Sequence, residues 1–443
     1  MTAAPERGLG ADAAPPSSSA PAASLGAPAC ADACSGDPGA PLEGSAPPIL
    51  FVIFQSGRLS NGGVESISHI IRRLRGFRPI LVTQLETPAT KKWRDAGWEV
   101  HVWRGPDRLD TPSLVARARK IPDLLAFDIK MALFVRRAGV RVVHCNDISS
   151  FWYAAPGAKA AGARVVFSVR SVFALERPYG MKWIGTRLLA DHIVFLSEEM
   201  RAALARRMPS PRLIGAAAAS EVIHSIVELR EMRPVPAPAR AEVRSRLGIR
   251  PDEIALGYVG YVGDVKNQLD FIERAAPVLL RGALPIRIYF VGDFQPDRDP
   301  YARRCLEAAA RLGLEDRLRF IGFSEAIRDW YRALDVVFVA SRHEGLARCM
   351  IESLACGTPV VSFDLCSARE ILERHGCGVV VPYGDFSALA DALRALACDP
   401  GRRQELSIAG ARVARALFDP DRIVRAYEAL YTRLEAPPVA ARR

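Results

Sequence analysis

The stretch from Leu334 to Phe363 admits few folds. Leu334-Asp-Val-Val-Phe-Val-Ala340 is a mostly apolar run of strand length that ends in the polar group Ser341-Arg-His-Glu-Gly345. Leu346, Cys349, Met350, Ser353 and Leu354 then recur near one face of a helix. Cys356-Gly-Thr-Pro359 stops that helix, and Val360-Val-Ser-Phe363 resumes as a strand. Two strands joined by one short helix make the crossover of a parallel α/β sheet. Glu344 falls in the first loop and Glu352 inside the helix. A loop at the carboxyl end of a parallel strand, beside a helix N-terminus, is where such sheets hold ligands.

The same alternation fills most of the chain. Ile49-Leu-Phe-Val-Ile-Phe54 is a continuous apolar strand of the buried parallel type. The loop after it contains Gly62-Gly63 and feeds a helix with Ile67, Ile70, Ile71 and Leu74 on one side. Paired glycines there fit a plain tight turn and a phosphate-approaching loop equally well. Further strands are expected at 79–83, 99–103, 140–144, 164–169 and 192–196, with one long or broken helix over 114–138. Ser197 is placed to cap the helix that follows. After a charged, proline-rich stretch at 226–240 the pattern restarts at Ile254–Gly260, whose loop carries Lys266. Strands at 286–291, 318–321 and 378–382 and helices over 299–312, 385–398, 401–414 and 420–434 complete it. The expectation is a first α/β domain over 49–225, a linker and domain entry over 226–249, and a second α/β domain over 250–415. A ligand cleft lies between them.

A chain of 443 residues exceeds one ordinary core, and 49% hydrophobic with 25% charged residues describes a globular protein. Residues 1–48 are rich in Ala, Pro, Ser and Gly and are expected to form a disordered tail without a signal peptide; 436–443 is a short basic tail. Nine cysteines without a CxxC pair or a Cys/His cluster suggest neither a disulfide framework nor a zinc site. No apolar run reaches transmembrane length. The net charge of +11 favours anionic partners, and no nucleic-acid motif accompanies it.

Taken with its surroundings, Glu344-Gly-Leu-Ala-Arg-Cys-Met-Ile-Glu352 resembles the signature of the retaining glycosyltransferases of family 4, which have the GT-B fold. Gly62-Gly-Val-Glu65, Gly260 with Lys266, Gly292-Asp293, and Glu370 agree in order and spacing. The resemblance covers about residues 48–435 and implies two Rossmann-like parallel-sheet domains facing across a cleft, with the helix at 416–435 returning to the first. It implies sugar transfer from a nucleotide sugar to a glycan or lipid-linked acceptor in cell-surface polysaccharide or lipopolysaccharide synthesis. UDP is the expected nucleotide and GDP the second, with no tightly bound cofactor and no metal. It further implies that Lys266 meets the diphosphate, Glu344 the donor sugar and Glu352 the ribose. Gly62, Gly63, Gly260 and the N–H groups of Gly345, Leu346 and Ala347 would line the phosphates.

Two positions depart from the family pattern. Tyr261 stands where a second cation is common, so that Arg58, Arg342 or Arg348 is left to supply charge. Arg170 stands where many relatives have His, and fits either a contact to a sugar or anionic acceptor or a supporting salt bridge. His144 fits a structural role or the acceptor cleft. Basic residues such as Arg72, Lys91 and Arg136 on the first domain fit an acidic membrane surface as well as ordinary charged helix faces. A cytoplasmic protein is therefore expected, either free or peripheral on the inner face of the membrane. A sugar-nucleotide epimerase and a non-catalytic nucleotide- or glycan-binding protein are the competing readings.

Overall fold

The computed structural model describes residues 46–55, 62–103, 121–171, 185–186, 188–206 and 219–436. Residues 1–45 of the expected tail, Arg58 and the start of the helix expected over 114–138 lie outside them, and the first strand already begins at Pro48, inside the span expected to be disordered.

Two parallel sheets carry the chain. The first is ordered β3-β2-β1-β4-β5-β6-β7. Its strands are β1 (Pro48–Val52), β2 (Arg78–Thr83), β3 (Glu99–Val102), β4 (Val142–Cys145), β5 (Arg164–Val169), β6 (His192–Phe195) and β7 (Ala219–Val222). The second is ordered β10-β9-β8-β11-β12-β13. It contains β8 (Ile254–Val259), β9 (Ile286–Val291), β10 (Leu318–Gly322), β11 (Val336–Val339), β12 (Val360–Phe363) and β13 (Val379–Val381). Every described strand pairing is parallel. This is the pair of Rossmann-like domains facing across a cleft that the resemblance implies.

In each sheet the strand order reverses beside the first strand, between β1 and β4 and between β8 and β11. Such a reversal opens a crevice at the carboxyl ends of the strands. Gly62 at the helix start after β1, Asn146 after β4, Arg170 after β5 and the loops after β8 and β11 therefore lie at these ends. The central strands are buried because helices cover both faces, which explains their unbroken Ile, Val, Leu and Phe runs. β7 escaped the sequence reading because Ala219-Ser-Glu-Val222 is a half-exposed edge strand with no apolar run.

The last helix, Pro420–Glu435, leaves the second sheet and packs on the first. Its Ile423, Val424, Tyr427, Leu430 and Tyr431 join Ile49, Phe51, Ile67 and Ile71 in one buried cluster. His144 on β4 fastens it there: Nδ1 lies 2.6 Å from the Tyr431 hydroxyl and Nε2 lies 2.7 Å from Ser168 Oγ. Burial, aided by the nearby Arg170 charge, pushes the His144 pKa down to about 3. A fully buried, neutral imidazole bonded on both sides is a core tether, which settles His144 as structural. Asp335 is likewise structural. It binds Arg240 and Arg244 at 2.7 and 3.0 Å and accepts from the Ala255 N–H at 2.8 Å, which fixes the entry helix Ala237–Arg246 to the second sheet.

Candidate functional site

The second sheet brings Lys266 and Glu344 together from two loops. Lys266 closes the short turn Asp264–Lys266 after β8. Asn267 follows in the left-handed conformation, at φ 64°, and its side-chain Nδ2 donates to the Ala340 carbonyl at 3.2 Å. That bond pins the Lys266 turn against the loop after β11. The Lys266 ammonium then lies 2.5 Å from Glu344 Oε1. The Ser341 hydroxyl donates to the same oxygen at 2.7 Å, and Tyr258 joins by lying 2.7 Å from Ser341 Oγ while donating to the Lys266 carbonyl at 2.7 Å. Burial opposes the Lys266 charge, but the Glu344 carboxylate outweighs it and holds the ammonium pKa above its ordinary value. Gly260 lies beside the lysine stem, where an added Cβ would be 3.4 Å from Lys266 Cε.

A second ion pair sits one helix turn further on. The helix Arg348–Cys356 carries both partners, Arg348 and Glu352, which are in contact. Tyr331, on the neighbouring helix Ile327–Ala333, donates to Glu352 Oε2 at 2.9 Å. Arg348 reaches beyond its own sheet, since Nη1 donates to the Ile226 carbonyl at 3.3 Å. A Cβ on Gly62, the first residue of the helix Gly62–Arg73, would lie 2.6 Å from Arg348 Cδ. A side chain on residue 62 would have to displace the Arg348 stem where it crosses between the two domains.

Gly345 is the second such point. A Cβ on it would lie 2.3 Å from the Arg170 carbonyl oxygen, so any side chain would push the domains apart. Arg170, just past β5, donates through Nε and Nη2 to Asn146 Oδ1 at 3.2 and 2.9 Å, and through Nη1 to Ser66 Oγ at 3.4 Å. These partners are neutral, and no described carboxylate lies within ion-pair distance. Leu346 and Ala347 are buried at the helix start.

The structure thus gathers Lys266, Glu344, Gly260, Gly345, Leu346, Ala347 and Glu352 on one wall. Gly62, Gly63 and Arg170 belong to the other. Of the candidates for extra positive charge, Arg342 is engaged by Asp270 at 3.0 Å and by the Asp264 carbonyl at 3.2 Å. Arg348 is the described arginine that lies between the walls. Tyr261 offers its ring, with the Lys266 ammonium 5.9 Å from the centroid. Sequence reasoning missed Tyr258 and Tyr331. Tyr258 lies in an apolar strand and Tyr331 on the buried side of a mixed helix, each indistinguishable from core until its hydroxyl is seen to reach an acid-bearing loop or helix.

This arrangement can bind an anionic diphosphate against cations and N–H groups, and can accept hydrogen bonds from hydroxyls at two carboxylates. The family model described as Glycosyltransferase Family 4 matches residues 61–228, and that described as Glycosyl transferases group 1 matches residues 253–399. The chain is 32% identical over 201 residues to a D-inositol 3-phosphate glycosyltransferase of Kribbella flavida, covering 44% of this chain and 46% of that protein. It is 30% identical over 200 residues to a 2-deoxystreptamine N-acetyl-D-glucosaminyltransferase of Streptomyces fradiae, covering 45% of this chain and 47% of that protein. The chain spans about half the length of these relatives. Its fold matches the crystal structure of Anabaena Alr3699/HepE in complex with UDP, with a TM-score of 0.71 and 19% identity over 87% of this chain and 99% of that one.

Proposed function

Because the chain is a glycosyltransferase of GT-B fold related to family 4, we propose that it moves a sugar, with retention, from a nucleotide sugar to an acceptor hydroxyl. The observation that carries this reading is the Lys266–Glu344 pair, held by Ser341 and Tyr258 next to Gly345, which packs on the Arg170 carbonyl. A UDP-sugar is the proposed donor, with its ribose on Glu352 and its diphosphate near Lys266 and the starts of the helices Gly62–Arg73 and Arg348–Cys356. In the unliganded site Glu344 serves as the counter-ion of Lys266. An arriving diphosphate competes for that ammonium and leaves Glu344 to accept hydrogen bonds from the sugar.

The bond between the anomeric carbon and the phosphate oxygen breaks, and its electron pair stays on the phosphate. Lys266 then neutralises the charge that develops there. The acceptor oxygen bonds to the same face of the anomeric carbon and passes its proton to the departing diphosphate. Lys266 donates to an oxyanion, whereas Glu344 and Glu352 accept from hydroxyls, so the carboxylates are not a glycosidase-like acid and base.

The acceptor we propose is a glycan or lipid-linked glycan of cell-surface polysaccharide or lipopolysaccharide synthesis, met at an acidic membrane surface. Among the described residues no helix is long and apolar enough to cross a membrane. The helix Ile121–Arg137 instead turns Ile121, Leu125, Ile129 and Leu133 outward, each 46–62% exposed, with Arg136 and Arg137 at its end. An apolar stripe with basic residues beside it suits the headgroup region of an anionic bilayer.

Calorimetry with UDP and GDP, followed by hydrolysis and transfer assays over a panel of UDP- and GDP-sugars, tests the reading. UDP binding with donor turnover that Lys266→Ala abolishes is the expected result. Nucleotide binding without turnover across a broad acceptor panel points to a binding protein, and no nucleotide binding at millimolar concentration sinks the proposal.

A further inference from the structure

Two helical starts face one another across the domain boundary and exchange carboxylates. On the first-sheet side, Ser197 caps the helix Glu198–Ala205 by accepting from the Met200 N–H at 3.1 Å. The N–H groups of Glu198 and Glu199, which precede it, donate instead to the two oxygens of Glu370 at 3.1 and 2.8 Å. Glu370 belongs to the wide helical turn Arg369–Glu373 after β12. The exchange is reciprocal, because the Glu199 carboxylate accepts from the N–H groups of Ser367 and Glu370 at 2.6 and 3.1 Å. Between the two carboxylates, Ser367 Oγ lies 2.7 Å from Ser197 Oγ and donates to the Gly345 carbonyl at 2.8 Å.

Ser367 is fully buried with φ 78°, and it and Asn267 are the described non-glycine residues in the left-handed region. A serine is kept in that conformation only where its surroundings over-determine it. The hydroxyl that this backbone directs at Gly345 touches the residue next to Glu344, where the Arg170 carbonyl also packs. Glu199, Glu370, Ser367, Gly345 and Arg170 are thus one continuous set of contacts running from the domain boundary to the cleft.

We propose that Glu199, Ser367 and Glu370 are positioning residues, whose clasp holds the Gly345 peptide, and through it Glu344, against Arg170 in the state that transfers sugar. The transfer step rests on the glycosyltransferase reading above. The clasp itself does not.

Amide hydrogen exchange and steady-state kinetics on the full chain test the proposal. Glu370→Ala should speed exchange at the Glu198 and Glu199 amides about tenfold or more, and Glu199→Ala should do so at Ser367 and Glu370. Both variants should lose about tenfold in kcat while UDP affinity stays within about threefold, since a displaced loop near the reacting atoms costs rate without removing donor contacts. Glu370→Gln, which keeps one accepting oxygen, should recover part of the loss. Unchanged exchange, or faster exchange with unchanged kcat, overturns the proposal. Should the alanine variants not fold, Ser367→Gly decides, because glycine tolerates φ 78° and loses only the hydroxyl. A lowered kcat at intact UDP affinity supports the clasp, and an unchanged kcat overturns it. If the wild type binds no nucleotide and turns over no donor, the glycosyltransferase reading fails, while amide exchange still decides whether the clasp holds the boundary.

Discussion

The two walls of the cleft carry charge in opposite ways. On the second-sheet wall each cation has an acid beside it, Lys266 with Glu344 and Arg348 with Glu352. On the first-sheet wall the described partners of Arg170 are the neutral side chains of Asn146 and Ser66. A paired site is organised before its ligand comes, and an incoming anion must compete with the resident carboxylate. A cation among neutral partners has no such competitor, and an anionic or hydroxyl-rich substrate adds to what is already there. The difference suits one wall that clamps a defined donor and another that takes a variable acceptor.

The sharpest way to break this contrast is Lys266→Ala. It should lower donor turnover by roughly 10²–10³-fold, the scale for losing one preorganised donor to a developing oxyanion. A loss under about threefold in initial-rate assays would remove the paired wall from the chemistry. Glu352→Ala comes next. Calorimetry should show UDP binding about 10- to 100-fold weaker, the range for hydrogen bonds to a charged acceptor, and unaltered affinity would leave Glu352 as an internal partner of Arg348 and Tyr331.

Arg170→Lys probes the other wall. Transfer to an acceptor should fall about tenfold because the forked contact to Asn146 is lost, while UDP affinity stays put. An equal loss in both would place Arg170 on the donor side. A last effect concerns stability at the base of the same wall. His144 stays neutral in the fold down to about pH 3, whereas in the unfolded chain it takes up a proton near its ordinary 6.5. Below that pH the unfolded state binds more protons, so stability is full above pH 6.5 and declines toward pH 3, by up to about 1.4 kcal/mol per pH unit. Urea midpoints between pH 7 and 4.5 should follow this slope in the wild type and flatten by that amount in His144→Gln. Identical slopes would show that the tether has no part in acid sensitivity.

How much of this was legible in the sequence follows from how far apart the partners lie. Glu344 and Glu352 sit in one strand-loop-helix, so pattern and spacing exposed them together, and the parallel sheets followed from apolar runs set between helical spacings. Lys266 was found through a family match, because an isolated lysine after a glycine-rich loop carries no signal of its own. Tyr258 and Tyr331 were hidden because burial of a ring says nothing about where its hydroxyl points. The clasp could not be read at all. Ser197 and the glutamates after it look like an ordinary helix cap, and the acceptor for the Glu198 amide is Glu370, 172 residues away in the other domain. Sequence patterns report what a segment needs, here acceptors for a helix start, and leave open which part of the chain supplies them.

The helix Pro420–Glu435 has a consequence for how the protein is made. The cluster beneath the first sheet contains Ile423, Tyr427, Leu430 and Tyr431 beside Ile49, Phe51 and Val142. A ribosome delivers Ile49 and Phe51 before the second domain and Tyr427 and Tyr431 after it, so the core of the first domain closes only once the second has been made. During synthesis of the whole second domain the part of that cluster which the last helix fills lies open beside the helix Gly62–Arg73, an apolar surface of the kind that chaperones hold and that aggregates when they do not. Nascent chains stalled before Pro420 should therefore be captured by such holdases, and release of the final sixteen residues of that helix should set them free.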